Sequence, residues 1–167
     1  MNFFELDKGD AIYVPADAPH AYLSGNIVEC MARSNNVLNT GFCPRAERNQ
    51  VELFTDSLTF SSHSPQDILL PSTKSAKGRK GKTQVYAPPM SEFDMLRTRL
   101  REGETETVAA IAGPSVLFVT SGRGGFKADK SQFDLKRGSV YFIGPGIELV
   151  LDARSRDELD IWRAYAE

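Results

Sequence analysis

Two distant segments of the chain repeat one another without a gap, and this repeat constrains the fold more than any other feature. Phe4-Glu-Leu-Asp-Lys-Gly-Asp-Ala-Ile-Tyr-Val-Pro-Ala-Asp aligns with Phe133-Asp-Leu-Lys-Arg-Gly-Ser-Val-Tyr-Phe-Ile-Gly-Pro-Gly. Phe4 meets Phe133, Leu6 meets Leu135, Lys8 meets Arg137 and Gly9 meets Gly138. An apolar run follows each glycine and ends at a second turn sequence. The physical reading is an acidic-apolar strand, a turn at the glycine, then a buried strand closed by another turn. A chain that repeats such a unit is built from β-structure.

The remaining pattern agrees. From residue 85 onward, short apolar segments alternate with turn signals. The expected strands are 92–100, 107–112, 115–120, 125–128, 139–143, 149–152 and 161–165. Pro88-Pro89, Gly113-Pro114, the Gly122 to Gly125 cluster and Gly144-Pro-Gly separate them. Close spacing of this kind predicts a β-sandwich or barrel. Strand–Gly–strand units recur in double-stranded β-helix, or jelly-roll, domains. No βαβ alternation and no glycine-rich loop leading into a helix is found, which argues against a dinucleotide-binding fold. Residues 11–14 and 26–31 read as two further strands. Val51, Phe54 and Leu58 recur at helical spacing after Pro44 and predict one short helix within 45–60. Residues 61–84 carry prolines, serines and the cations Lys74, Lys77, Arg79, Lys80 and Lys82, and read as a solvated basic connector.

Composition narrows the partners. Apolar residues make up 41% and charged residues 25%, with a formal net charge of -2 and a pI near 5.8. That balance predicts no nucleic-acid partner and no membrane partner. No apolar run approaches the ~20 residues of a membrane span. Cys30 and Cys43 form no CxxC pair. They read as reduced thiols in a cytoplasmic protein.

The first copy of the repeat carries the candidate chemistry. Gly9, five residues, Pro15-Ala-Asp17, two residues and His20 resemble the second cupin motif, in which that histidine binds metal. Asp17 stands where the usual motif has glycine. A neutral imidazole at a barrel mouth can ligate zinc, whereas a lone histidine is also often a hydrogen-bonded structural residue. The equivalent position in the second copy is Leu149, so one barrel is expected to bear metal and the other to be structural. His63 falls in the connector and reads as solvated.

Pro19-His20-Ala-Tyr22-Leu-Ser-Gly25, followed by Glu29-Cys-Met-Ala32 and Ser34-Asn-Asn-Val37, resembles the active-site signature of type I mannose-6-phosphate isomerases. Tyr86-Ala-Pro-Pro, Glu92-Phe93, Gly113-Pro-Ser, the segment 138–146 and Arg163-Ala-Tyr follow in the family's order. The stretch 39–45 is similar to filamentous-fungal members. The resemblance implies a cupin-type fold: residues 1–44 as the C-terminal portion of a catalytic cupin domain, 45–84 as helix and connector, 85–167 as a C-terminal cupin-like domain. It implies an aldose–ketose isomerase that interconverts mannose 6-phosphate and fructose 6-phosphate, a precursor step for GDP-mannose, through a zinc-assisted cis-enediol. His20 is then a zinc ligand, and Tyr22 and Glu29 line the substrate pocket.

Two departures follow from the same resemblance. The family's other zinc ligands lie upstream of the matching segment, so this chain holds one. The family's catalytic arginine position is occupied by Asn39, so either a nearby cation, Arg45 or Arg33, takes its charge role or activity is lost. The isolated chain is therefore expected to be inactive and to self-associate through open sheet edges. The alternative is a non-enzymatic cupin module used for binding or assembly.

Overall fold

A computed structural model describes residues 2–34, 37–48, 50–90 and 92–167. Asn35 and Asn36 of the motif at 34–37 lie outside the described residues. The chain divides into two compact units, Met1–Leu69 and Leu70–Glu167.

Among the described residues, the second unit holds ten strands: β1 (Thr73–Lys74), β2 (Thr83–Tyr86), β3 (Asp94–Leu100), β4 (Thr105–Val108), β5 (Ser115–Ser121), β6 (Arg123–Ala128), β7 (Ser131–Lys136), β8 (Val140–Ile143), β9 (Leu149–Ala153) and β10 (Leu159–Tyr165). They form a six-stranded sheet ordered β1-β2-β3-β10-β5-β8 and a four-stranded sheet ordered β4-β9-β6-β7. Every pairing is antiparallel. From β3 to β10 the pairs are nested: β6 with β7, β5 with β8, β4 with β9, β3 with β10. This is one long ribbon, hairpinned at β6–β7 and curled until β10 meets β5 and β9 meets β6. That winding is the jelly roll.

Alternation along the strands sets the core. In β9, Leu149, Leu151 and Ala153 point inward while Val150 faces out, and in β5 Leu117 and Val119 are buried between exposed neighbours. They pack with Leu96, Leu100, Phe126, Leu135, Leu159 and Ile161 into one cluster. Leu149 is 0% exposed, as the repeat leads one to expect.

The repeat is written in the backbone of both units. Gly9 and Gly138 adopt φ of 113° and 84°, and Asp17 and Gly146 adopt 60° and 76°. The Asp10 amide donates to the Asp7 carbonyl at 3.0 Å while the Asp7 amide donates to the Asp10 carboxylate at 3.0 Å. At the second copy, Ser139 and Lys136 make the same two bonds, at 2.9 and 3.1 Å, with the Ser139 hydroxyl in place of the carboxylate.

Three local expectations need correction. Residues 11–14 and 26–31 are not strands: Ile12 makes a single bridge to Leu69, Tyr13 donates to the Ile68 carbonyl at 2.8 Å, and 26–31 has no ladder. A strand exists only against a partner, and these segments find almost none within the unit. The helix shrinks to α1 (Val51–Ser57), preceded by a 3-10 turn at Arg45–Glu47. α1 has no side-chain N-cap and ends where Leu58 turns extended, which leaves too short a run to propagate.

The third correction concerns the basic connector. Residues 61–84 contain a four-residue helix, α2 (Pro65–Ile68), strand β1 and the start of β2. Ser64 and Asp67 form a capping box around Pro65, a signal present in the sequence. The cationic loop itself is held by a buried acid. The Glu106 carboxylate, 0% exposed, accepts from the amides of Lys80, Lys82 and Thr107 at 2.7, 2.7 and 2.8 Å. The cations find partners around it: Lys77 with Glu167 at 2.5 Å, Lys82 with Glu104 at 2.5 Å, and Arg79 with Glu148. Lys74, Arg79, Lys80 and Lys82 remain exposed, as expected of a solvated run; what the sequence hides is the docking of the loop by acids distant in the chain.

Candidate functional site

The candidate site lies in the first unit, just after the repeated turn. Asp17 in the left-handed region forms the turn with Ala16 that follows Pro15. The His20 Nδ1 sits 3.0 Å from the Ala18 carbonyl. A carbonyl can only accept, so this contact is served by Nδ1–H, and in the neutral ring the lone pair is then on Nε2. Metal-ligating histidines are commonly oriented by such a backbone bond. The Tyr22 ring meets the imidazole edge-on with centroids 5.7 Å apart. The Tyr22 hydroxyl donates to the Glu29 carboxylate at 3.4 Å. Burial, then the charge and hydrogen bond of Glu29, push the Tyr22 hydroxyl above its ordinary pKa. Tyr22 therefore remains a neutral donor over the physiological range.

His20, Tyr22 and Glu29 thus form one connected run, and all three side chains are exposed. Asn39 and Arg45 do not join it: among the described residues no hydrogen bond or ion pair ties either to these three. Arg45 opens the 3-10 turn and is exposed. Its neighbour Arg48 folds back instead, donating from Nε and Nη2 to the Cys43 carbonyl at 2.9 and 2.7 Å. Nothing in the local sequence distinguished Arg48 from Arg45. Cys30 is half-buried, and burial pushes its thiol pKa up, away from nucleophile or ligand chemistry. His63 is exposed, and its carbonyl accepts from Asn2 Nδ2 at 2.7 Å.

Among the described residues no three His, Cys, Asp or Glu side chains gather where one ion could bind them. Catalytic zinc usually takes three protein ligands. The residues present fit one corner of a zinc site and not a whole one.

A jelly roll of two antiparallel sheets, with its glycine-centred turn repeated in the other unit, places the chain in the cupin-type class of β-proteins. Over its full length it is a homologue of fungal mannose-6-phosphate isomerases. It is 36% identical over 169 residues to that of Schizosaccharomyces pombe, 35% over 177 to that of Candida albicans and 35% over 171 to that of Saccharomyces cerevisiae. Each match covers 100% of this chain and 39–40% of the relative, so the chain spans about two-fifths of the length of the curated relatives it matches. No protein-family model matches. The fold also matches the crystal structure of a point mutant of phosphomannose isomerase from Salmonella typhimurium. The TM-score is 0.63 at 20% identity, covering 81% of this chain and 32% of that one. No helix among the described residues is long and apolar enough to cross a membrane.

Proposed function

We propose that this chain is part of a mannose-6-phosphate isomerase and contributes His20, Tyr22 and Glu29 to its active site. The observation that carries the reading is the connected run itself. A histidine with its lone pair on Nε2 stands beside a neutral phenol that donates to a carboxylate. It occurs in a chain whose homologues, matched along its whole length, bear that enzyme's name.

The reaction interconverts mannose 6-phosphate and fructose 6-phosphate. From the aldose, a base takes the C2 proton, the electron pair forms the C1–C2 double bond, and the aldehyde oxygen gains a proton. The resulting cis-enediol takes a proton at C1 while the C2 hydroxyl loses one and becomes the ketone. Glu29 accepts hydrogen bonds from sugar hydroxyls, and the Tyr22 oxygen, its proton held by Glu29, accepts from another, which fixes the C1–C2 unit for proton transfer. Arg45, permanently charged and exposed, supplies the positive charge that Asn39 cannot. Zinc, when bound in the complete enzyme, supplies Lewis-acid chemistry, and His20 gives it one nitrogen. No step is assigned to the metal on this chain alone, because one nitrogen does not hold it.

By itself, the chain is inactive and self-associates. Phe3, Tyr22, Leu23, Ile27, Phe42 and Phe60 are exposed apolar groups in a unit that buries none of its described residues. The test is conversion of mannose 6-phosphate by the purified chain, with metal analysis and light scattering on the same sample. Expected are no turnover with added zinc, substoichiometric metal and particles larger than a monomer. Sustained turnover with one zinc per chain would overturn the single-ligand argument. In the complete enzyme, His20→Ala is expected to lose metal and activity together; an active, zinc-loaded variant would remove His20 from the site. The second reading, a non-enzymatic cupin binding or assembly module, draws on the jelly-roll unit. There Leu149 fills the position equivalent to His20 and is fully buried.

A further inference from the structure

The edges of the two sheets are not equally protected. β1 is two residues long and carries Lys74. β4 is covered by the cationic loop: the Arg79 amide donates to the Thr107 carbonyl at 3.0 Å, and the Ala109 amide to the Lys77 carbonyl at 2.8 Å. β7 carries Asp134 and Lys136. β8, Val-Tyr-Phe-Ile, ends the six-stranded sheet with no charged residue. Among the described residues, no strand or loop is bonded along its outer side. An open, uncharged edge is the form that pairs with another strand.

The ladder decides which groups β8 leaves open. The Val119 amide donates to the Ser139 carbonyl at 3.0 Å, so the backbone groups of residue 119 face β8. Bonding alternates along an antiparallel pair. Leu117 with Tyr141 and Ser115 with Ile143 are therefore the bonded pairs, and the N–H and C=O of Val140 and Phe142 point to the free side. The same two residues carry exposed side chains, 59% and 72%. With Val116 and Phe118, their register partners on β5, they form an apolar band on the outer face of the sheet that runs to its edge.

We propose that β8 pairs with β8 of a second copy of this chain, antiparallel about a two-fold axis through Tyr141, joining two six-stranded sheets into one. Symmetry then sets Val140 opposite Phe142 of the second copy, and Phe142 opposite its Val140. Each pair exchanges two hydrogen bonds, so every open N–H and C=O of the two residues is satisfied, and valine meets phenylalanine on the outer face. A register centred on Val140 or on Phe142 would set the other residue against a turn, at Gly138 or Gly144. Charge favours the same sense. Antiparallel pairing brings the end of β8 next to the exposed Lys136 and Arg137 toward the end of the other strand that leads to Glu148, whereas parallel pairing would set cations beside cations. The interface uses none of His20, Tyr22 or Glu29 and does not depend on the isomerase reading. It is also separate from the association expected of the exposed apolar groups of the first unit.

The experiment is sedimentation velocity of the full chain over a concentration series, with amide exchange measured at its two ends. A concentration-dependent association is expected. The amides of Val140 and Phe142 should slow about tenfold or more as it proceeds, and that of Tyr141, already bonded to Leu117, by less. Val140→Lys and Phe142→Lys change exposed positions, and symmetry places each new charge in the interface twice. Each is expected to remove the slowing at the other position. Phe60→Lys, at an exposed apolar position of the first unit, should leave the slowing at Val140 and Phe142 in place. A chain that stays monomeric throughout would overturn the proposal. So would slowing at Val140 that persists in Phe142→Lys, or association without slowing at either amide, which would assign the contact to the first unit.

Discussion

Leu149 and Glu106 show how single side chains divide the work in this chain. Leu149 occupies the place equivalent to His20 but sits wholly within the core, so truncation should leave a cavity and touch no chemistry. Leu149→Ala is expected to cost about 2–5 kcal/mol in chemical denaturation, the range for a buried leucine. Glu106 acts differently, because its two oxygens satisfy three backbone amides that have no ladder partner there. Glu106→Gln turns one acceptor into a donor facing a backbone N–H. The expected loss is about 1–3 kcal/mol. Amide exchange at Lys80 and Lys82 should quicken while that at Leu117 does not. Unchanged exchange at both lysines would show that the loop is held by its surface ion pairs instead.

At the level of elements, the turn of the repeat and the crowded strand β6 make different demands on glycine. Gly138 has φ of 84° and open space where a Cβ would stand, so Gly138→Ala loses only the ease of the left-handed backbone, about 1–2 kcal/mol. Gly124 lies in β6 between β7 and β9, where a Cβ would come within 2.0 Å of the Asp152 carbonyl oxygen. Backbone cannot yield there without opening the β6–β9 pairing. Gly124→Ala should therefore cost more than Gly138→Ala, and its melting temperature should be the lower of the two. The reverse order would mean that β6 and β9 can separate cheaply.

Across the whole molecule, burial is confined to the second unit. Every buried core residue belongs to Leu70–Glu167, and none of the described residues of Met1–Leu69 is buried. Opening free energy follows buried apolar contact, so the two units should exchange hydrogen very differently. Amides of β3, β5, β9 and β10 are expected to be the slowest, and those of the described residues of Met1–Leu69 should exchange far faster. Limited proteolysis should trim the chain to a fragment beginning near Leu70. Strong protection around His20 in the isolated chain would contradict this picture.

The repeat was legible because its turn depends on local chemistry. A glycine free to take positive φ, with an acid or serine one residue on to bond back across the turn, needs nothing distant. The same holds for the apolar alternation that put Leu149 and Leu151 inside, and for the His20-Ala-Tyr22 block that marked the candidate site. What stayed hidden depends on groups far apart in the chain. Residues 11–14 have the composition of a strand but no sheet to join. Lys74, Arg79, Lys80 and Lys82 stay exposed as the sequence suggests, but only the fold shows that Glu106 holds the backbone amides of that loop and that Glu104, Glu148 and Glu167 pair with Lys82, Arg79 and Lys77. Arg97 and Arg163 sit in one sheet, and only the folded ladder reveals that Asp160 reaches the first while, among the described residues, no carboxylate reaches the second. Sequence determines which backbone states and faces each segment prefers, because those are decided within a few residues. Which strand has a partner and which charge has a counter-charge are decided by long-range closure of the β-ribbon, and so by the tertiary structure alone.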